Sequence, residues 1–175
     1  MKTILRKYSS KMHGPYGKMS VIYGIIMGIV MSLFSLIRYL LGYPTTSPLS
    51  LLDNIAMLVV MLCVVYLYRS SLQDKKITFK EAWLLAFYSA LIGSVLYGIF
   101  MYLYSSYIDK QMIEHCIEHL RKVPEYKNYT IEQFKQMARP SAISLQSIIY
   151  NIVMAIIWAF VCAVLLKNEK SEIKK

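Results

Sequence analysis

The stretch Ala82–Ile108, AWLLAFYSALIGSVLYGIFMYLYSSYI, decides the fold, because it runs for 27 residues without a charged side chain. A helix rises about 1.5 Å per residue, so roughly 20 apolar residues cross the ~30 Å hydrocarbon core of a bilayer. The stretch is therefore long enough to cross a membrane as a single helix. We interpret it as a transmembrane span.

Three other stretches have the same property, so the chain is predicted to cross a bilayer four times. The spans are expected at about residues 19–41, 49–68, 82–107 and 144–166. Hydrophobic residues make up 57% of the 175 residues, and four spans in so short a chain leave no room for a second domain of ordinary size. We predict an all-α membrane protein, a single domain over residues 1–175. Four transmembrane helices are expected, with an exterior amphipathic helical hairpin at about residues 108–143.

The basic residues are distributed unevenly around these spans. Of the 20 Lys and Arg residues, 13 lie before the first span, between spans two and three, or after the last span. Because basic residues collect in cytoplasmic loops, both termini and the second loop are predicted to be cytoplasmic. The net charge of +10 is thus interpreted as a topology signal with contact to anionic lipid headgroups. No nucleic-acid partner is predicted.

Small residues recur at every fourth position in three of the spans, and small side chains let helices approach closely in lipid. The predicted packing residues are Gly24 and Gly28 in the first span, Ala86, Ala90 and Ser94 in the third, and Asn151 and Ala155 in the fourth. Spans one, three and four are therefore expected to form the tight centre, with span two more peripheral. The alternative use of the Gly24–Gly28 stripe is homodimerisation. Asn151 is expected to form an interhelical hydrogen bond.

Ionisable residues within spans usually mark pathways for ions or substrates, and here they are nearly absent. Arg38 and Asp53 both fall near the outer boundary of their spans. The Arg38 side chain can snorkel toward the headgroups, and the two residues are predicted to form an ion pair at the interface. Asp53 is also the one acid that a proton-coupled transporter could use.

Several local signals predict where helices begin and end. Capping boxes are indicated by Ser50-x-x-Asp53, Thr78-x-x-Glu81 and Thr130-x-x-Gln133, and Pro140 opens the fourth span. No proline lies between Ala82 and Val123. The third span is therefore expected to continue outward as one helix as far as Pro124.

The predicted hairpin contains the one pattern that suggests metal chemistry. His115 and His119 lie four residues apart, the spacing that places two imidazoles on one helix face for a shared metal ion. Glu118 is the nearest candidate for a third ligand, whereas Cys116 falls on the apolar face. The alternative is a solvated polar face. The sequence predicts no cofactor and no enzyme, with a metalloenzyme kept open as a minor hypothesis.

A family resemblance rests on a few motifs spread over residues 16–167. They are Tyr23-Gly24 with Gly28, the Tyr39–Tyr43 exit of span one, and Lys76-Ile77-Thr78-Phe79-Lys80-Glu81-Ala82 before span three. A long polar helical insert follows span three. The chain resembles a family of short four-span bacterial membrane proteins from the Bacteroidota, domain of unknown function 4199. The family tends to show Pro-Glu after the third span, where this chain has Asp109-Lys110. The resemblance implies four helices and a bacterial inner-membrane location, and it implies no activity.

Three functional hypotheses follow. The first is a non-enzymatic scaffold or accessory subunit that docks a partner through its exterior hairpin. The second is a small transporter or channel subunit, and the third is a metal-binding membrane protein that uses His115 and His119. The expected partners are the lipid bilayer and another membrane or periplasmic protein, and a homo-oligomer is a further possibility.

Overall fold

The structure, a computed structural model, describes residues 15–43, 51–72, 75–109 and 111–168. These ranges are almost entirely helical and contain no β-strand. In chain order the elements are α1 (Pro15–Leu40), α2 (Leu51–Ser71), α3 (Phe79–Leu103) continuing as a π-helical turn (Tyr104–Ile108), α4 (Met112–Arg121), a 3-10 turn (Pro124–Tyr126), α5 (Ile131–Met137) and α6 (Pro140–Leu166).

Within the described residues, four helices are long and apolar enough to cross a membrane: α1, α2, α3 with its π-helical turn, and α6. Their outward faces carry large apolar side chains such as Ile22, Ile29 and Ile156, each about half exposed. Such extensive exposed apolar surface suits lipid, and helices satisfy their own backbone polar groups there. The predicted fold class, an all-α membrane protein with four spanning helices, is confirmed.

The helix α3 is the centre of the bundle. It packs extensively against α1 on one side and α6 on the other, whereas α1 and α6 have few contacts with each other in the part of the chain described. The sequence predicts that these three helices form one tight centre. The contacts agree with this prediction, and α2 is more peripheral. Within that centre α3 carries small residues on both of its sides, so it separates α1 from α6.

The Gly24–Gly28 stripe of α1 packs directly on α3. A Cβ built on Gly24 would lie 2.6 Å from the Cβ of Ile92, and one built on Gly28 would lie 2.7 Å from the Cβ of Leu96. Helices this close leave no room for a side chain at either glycine. Because α3 covers the stripe, it is not free for homodimerisation, the alternative that the sequence leaves open.

The contact between α3 and α6 also depends on small residues. The side chain of Ile148 fills the space beside Gly98, and the Ser144 hydroxyl donates a hydrogen bond to the Gly98 carbonyl at 2.7 Å. The remaining packing residues of α3 and α6 are all buried: Ala86, Ala90, Ser94, Asn151 and Ala155.

The helix α2 packs with large side chains instead of small ones. Met57, Met61, Val65 and Tyr68 are buried on one face of α2, and this helix touches each of the other three spans lightly. Unbranched, flexible methionine side chains fill irregular gaps well. The helices α1, α3 and α6 form a close-packed row. The methionine side chains let α2 pack beside this row without the close backbone approach that small residues allow.

Two of the predicted helix starts are confirmed. The Thr78 hydroxyl accepts a hydrogen bond from the Glu81 amide, and the Glu81 carboxylate accepts one from the Thr78 amide. Thr130 and Gln133 form the same reciprocal pair at the start of α5. Pro140 is the first residue of α6. Ser50, the predicted cap of α2, lies outside the described residues.

The prediction of one continuous helix from the third span to Pro124 is wrong. The helix widens into a π-helical turn at Tyr104–Ile108, and Asp109 leaves the helical conformation with φ −110° and ψ 83°. The Asp109 carboxylate accepts a hydrogen bond from the Tyr104 hydroxyl at 3.1 Å. A short acidic side chain with partners of its own competes with continued helix, so it can end a helix without proline.

The connection between α3 and α6 folds over one end of the bundle, which we call the hairpin end. Met112 of α4 is buried in the bundle core. Phe134 of α5 is also buried, and the Arg121 guanidinium of α4 lies 6.0 Å from the centre of its ring. The helices α4 and α5 thus form the predicted hairpin and close this end of the bundle.

Candidate functional site

An ion pair joins α1 to α2 at the hairpin end. Arg38 lies in the last turn of α1 and Asp53 in the first turn of α2, with 2.9 Å between Arg38 Nη2 and Asp53 Oδ2. The side chains are only 5% and 16% exposed. The sequence also allows Arg38 to snorkel outward to the interface, but the structure turns its side chain into the bundle, where the carboxylate partner lies.

This pair leaves hydrogen-bonding capacity unused. Nε and Nη1 of Arg38 and Oδ1 of Asp53 are buried, and no side chain or backbone group in the described ranges bonds to them. Burying charge costs free energy even when the charges are paired, and each unmatched polar atom adds to that cost. Ionisable groups retained within membrane spans therefore point to function.

Two further polar contacts connect the spans near this ion pair. The hydroxyls of Ser35 on α1 and Tyr97 on α3 lie 2.9 Å apart, and both residues are buried. The Asn54 side-chain amide of α2 donates to the Tyr150 hydroxyl of α6 at 3.0 Å. Each of the four spans therefore contributes a polar side chain to the hairpin end.

A cavity of about 250 Å³ lies among these groups, bordered by α2, α3, α4 and α6. Its lining is Asp53, Tyr97, Met101, Met112, Cys116, Ile143, Gln146, Ser147, Tyr150 and Asn151. Asn151 is 5% exposed, and its Nδ2 has no hydrogen-bond partner among the residues described. The interhelical hydrogen bond that the sequence predicts for Asn151 is therefore not made by this nitrogen with any described residue. The lining combines these polar side chains with the apolar side chains of Met101, Met112 and Ile143.

Cys116 brings a thiol from α4 to this cavity. Burial raises the pKa of the Cys116 thiol above its ordinary value, and the negative charge of Asp109 raises it further. The thiol is therefore protonated at neutral pH and is a poor nucleophile, because the thiolate is the reactive form. Cys116 belongs to the wall of the cavity and has no feature of an activated cysteine.

The histidines of α4 do not face the same surroundings. His115 is half-buried, with a buried Nδ1 that no described residue contacts by a hydrogen bond, whereas His119 and Glu118 are exposed. No three His, Cys, Asp or Glu side chains of the described ranges come together as a possible metal site. The structure thus brings no third ligand to His115 and His119.

Sequence patterns do not single out several residues of this site. Ser35, Asn54, Tyr97 and Tyr150 are ordinary residues for a span or its boundary, and they meet only after four helices have packed. A hydrogen bond between residues as distant along the chain as Asn54 and Tyr150 has no local signature. The sequence feature that comes closest to marking this site is the pair of charged residues, Arg38 and Asp53, which lie at the same end of the bundle.

The fold and this cavity define a class: a four-helix integral membrane protein with a polar site near one end of its bundle. The chain belongs to the family described as protein of unknown function (DUF4199), whose family model matches residues 22–168. That range includes every residue of the site. No curated protein matches the chain. No solved structure matches it either.

Proposed function

We propose that this protein is a non-enzymatic accessory subunit of the bacterial inner membrane that binds a partner protein through the α4–α5 hairpin. One observation carries the proposal: the glutamates of α4 are exposed and form no salt bridge within the hairpin among the described residues. Glu114 and Glu118 are exposed, and the salt bridge between Arg38 and Asp53 is the only one among the described residues. Buried apolar residues such as Met112 and Phe134 anchor the hairpin instead.

The chemistry of the hairpin surface indicates the kind of partner. Glu114 and Glu118 are one helical turn apart, so they form an acidic edge on α4. Tyr129 and Ile131, next to the cap of α5, are 41% and 58% exposed. Exposed apolar side chains beside charged ones fit an interface with an apolar centre and a polar rim. The partner is therefore a protein that presents basic side chains next to an apolar patch.

The position of Asp53 supports this proposal over a small transporter or channel subunit. The residue lies in the first turn of α2, at the end of the bundle, and it is paired with Arg38. A proton-coupled carrier needs a carboxylate deep within the span, and Asp53 lies in its first turn. A metal-binding role through His115 and His119 would require a third ligand from the partner.

The proposal also implies which side of the membrane each end of the helix bundle faces. The loop that contains Lys75 and Lys76 and both ends of the chain are rich in basic residues, which favours the cytoplasmic side. The hairpin end then faces the exterior, where a membrane or periplasmic protein reaches it. A homo-oligomer would have to use a surface other than the Gly24–Gly28 stripe.

A photo-cross-linking experiment in native membranes tests the docking proposal. A photoreactive amino acid in place of the exposed His119 should give a discrete adduct with one partner protein. The same amino acid in place of the lipid-facing Ile156 serves as the control and should not give that adduct. Reversing both charges of the acidic edge, with Glu114→Lys and Glu118→Lys, should abolish the adduct, because the partner's basic side chains would be repelled.

The matched control for this charge reversal is Glu132→Lys, which changes an exposed glutamate on α5 and should leave the adduct intact. An adduct that survives reversal of the acidic edge would contradict the proposed interface. The absence of any adduct specific to position 119 would contradict docking through α4.

A further inference from the structure

We propose that the cavity at the hairpin end binds a small organic cation, an amine that carries a short apolar arm. The cavity is bordered by four helices and is partly open, and its lining residues Asp53 and Asn151 each carry a buried polar atom without a described partner. The proposal concerns the interior of the bundle and does not rest on the docking of a partner at the hairpin surface.

The charges around the cavity favour a cation. Asp53 is the one charged residue of the lining, and no lysine or arginine lines the cavity. Arg38 contacts Asp53 Oδ2 from outside the lining, which leaves Oδ1 without a described partner. Asp109, only 6% exposed, adds a second carboxylate next to Cys116. Among these three buried charged groups, the two carboxylates outnumber the one guanidinium.

The hydrogen-bonding groups fit an ammonium group with an acceptor beside it. Asp53 Oδ1 is an unused acceptor that suits an ammonium N–H, and Asn151 Nδ2 is an unused donor that suits a hydroxyl or carbonyl oxygen. The lining also includes the aromatic residues Tyr97 and Tyr150. Aromatic faces attract cations, and organic ammonium ligands are commonly recognised in this way.

The size of the cavity limits the ligand to a small molecule. A volume of about 250 Å³ corresponds to the liquid volume of roughly eight water molecules. Met101, Met112 and Ile143 provide an apolar wall for a short alkyl arm. Water alone could satisfy Asp53 and Asn151, but it would gain nothing from this wall. The experiment therefore has to distinguish a cavity that binds an organic cation from a cavity that holds only water.

Cys116 is a natural reporter of charge selectivity because its thiol lies in the cavity wall. The full-length protein would carry Cys63→Ala and Cys162→Ala, so that Cys116 is the one remaining cysteine. A positively charged aminoethyl methanethiosulfonate and a negatively charged sulfonatoethyl methanethiosulfonate would then be compared. In both reactions the thiolate attacks the reagent sulfur, a disulfide forms and methanesulfinate leaves.

The ratio of the two rates measures the electrostatic preference, because thiol acidity affects both reactions equally. Relative to a free thiol in solution, we expect the cationic reagent to be favoured at Cys116 by about tenfold or more, as expected for a carboxylate near the reacting group in a partly screened site. Asp53→Asn should reduce this preference. Glu114→Gln, which removes an exposed negative charge from the same helix, should change it little.

Ligand protection tests binding directly. 4-Hydroxybutylammonium has an ammonium group that suits Asp53 Oδ1 and a hydroxyl oxygen that can accept from Asn151 Nδ2. It should slow the labelling of Cys116 by neutral N-ethylmaleimide in a saturable way, whereas 1,4-butanediol and 4-hydroxybutyrate at equal concentration should not. The protection should be lost in Asn151→Leu, a variant of similar volume that keeps the Arg38–Asp53 pair. This second variant matters because Asp53→Asn leaves Arg38 without its counter-charge and could fail to fold.

Three results would overturn the proposal. Protection by 4-hydroxybutyrate instead of 4-hydroxybutylammonium would assign the cavity to an anion. Equal protection by all three probes, or by none, would mean that the cavity holds only water. A rate ratio at Cys116 equal to that of the free thiol would remove the electrostatic argument.

Discussion

Arg38 and Asp53 put two opposite charges where a bilayer offers little solvation. Each lies at a helix end that favours its charge, because the carboxyl end of α1 carries a partial negative charge and the amino end of α2 a partial positive one. The pair links two helices that otherwise touch lightly. The buried charges thus define the geometry of the hairpin end, although an apolar pair would be cheaper to bury.

We expect loss of one partner of this pair to be more harmful than loss of both. Asp53→Ala should lower the free energy of unfolding by about 3–5 kcal/mol, because it leaves the Arg38 guanidinium buried without a counter-charge. The double variant Arg38→Met/Asp53→Leu should recover much of that loss, since it buries no charge. Unfolding of the purified protein in detergent would measure both. A double variant as unstable as the single one would show that unpaired charge is not the cause.

At the residue scale, the sequence predicts the pairing but not the burial. Arg38 and Asp53 lie on either side of a short connection, so their proximity follows from four antiparallel spans. A charge near a span boundary is equally compatible with an outward, snorkelling side chain. Whether it turns inward depends on Ser35, Tyr97 and their neighbours on other helices, which no local pattern relates to Arg38.

Among the helices, the contact between α1 and α3 depends on two glycines. The backbone of Gly24 packs directly against the Ile92 side chain and the Ser89 carbonyl of α3. Close packing supplies much of the association energy between helices in lipid, where the hydrophobic effect contributes little. The interface is therefore sensitive to any added atom at these positions.

Gly24→Leu should loosen this interface and lower the free energy of unfolding by about 1–3 kcal/mol, as overpacking does in other cores. Its matched control is Ile25→Leu, because Ile25 is the next residue and its side chain is 43% exposed on the outer face. Thermal unfolding in the same detergent compares the two. Equal destabilisation by both substitutions would contradict the close contact at Gly24.

The helix boundaries show which element signals the sequence carries. The reciprocal hydrogen bonds of Thr78 with Glu81 are a local pattern, so the start of α3 is predictable. The end of the third span is not, because neither proline nor glycine marks it. There a π-helical turn and the contact of Asp109 with Tyr104 redirect the chain, and these depend on the packing of α4 over the bundle.

For the whole molecule, the lengths of the charge-free stretches predict the four spans, and the basic residues predict their direction. The cavity is different, because its polar lining includes Asp53 on α2, Tyr97 on α3 and Asn151 on α6. These residues meet only when the order of the helices around α3 is known. Small-residue stripes show that helices pack closely, but they do not specify which helix lies between which others.

The orientation of the whole chain can be measured with reporter fusions. Fusions after Lys175 and between Lys75 and Lys76 should report the cytoplasm, because basic segments are retained there. A fusion near Lys127, within the hairpin, should report the exterior and serves as the internal comparison. An exterior signal from the carboxyl terminus would be incompatible with an even number of crossings.

The central position of α3 has a consequence for how the protein assembles. During synthesis α1 and α2 leave the ribosome before α3, so the glycine surface of α1 has no partner when it first enters the bilayer. The Arg38–Asp53 contact is a side-chain hydrogen bond between α1 and α2, and these two helices can form it at that stage. At that stage the ion pair holds α1 beside α2. Gly24 and Gly28 then remain uncovered until α3 packs against them.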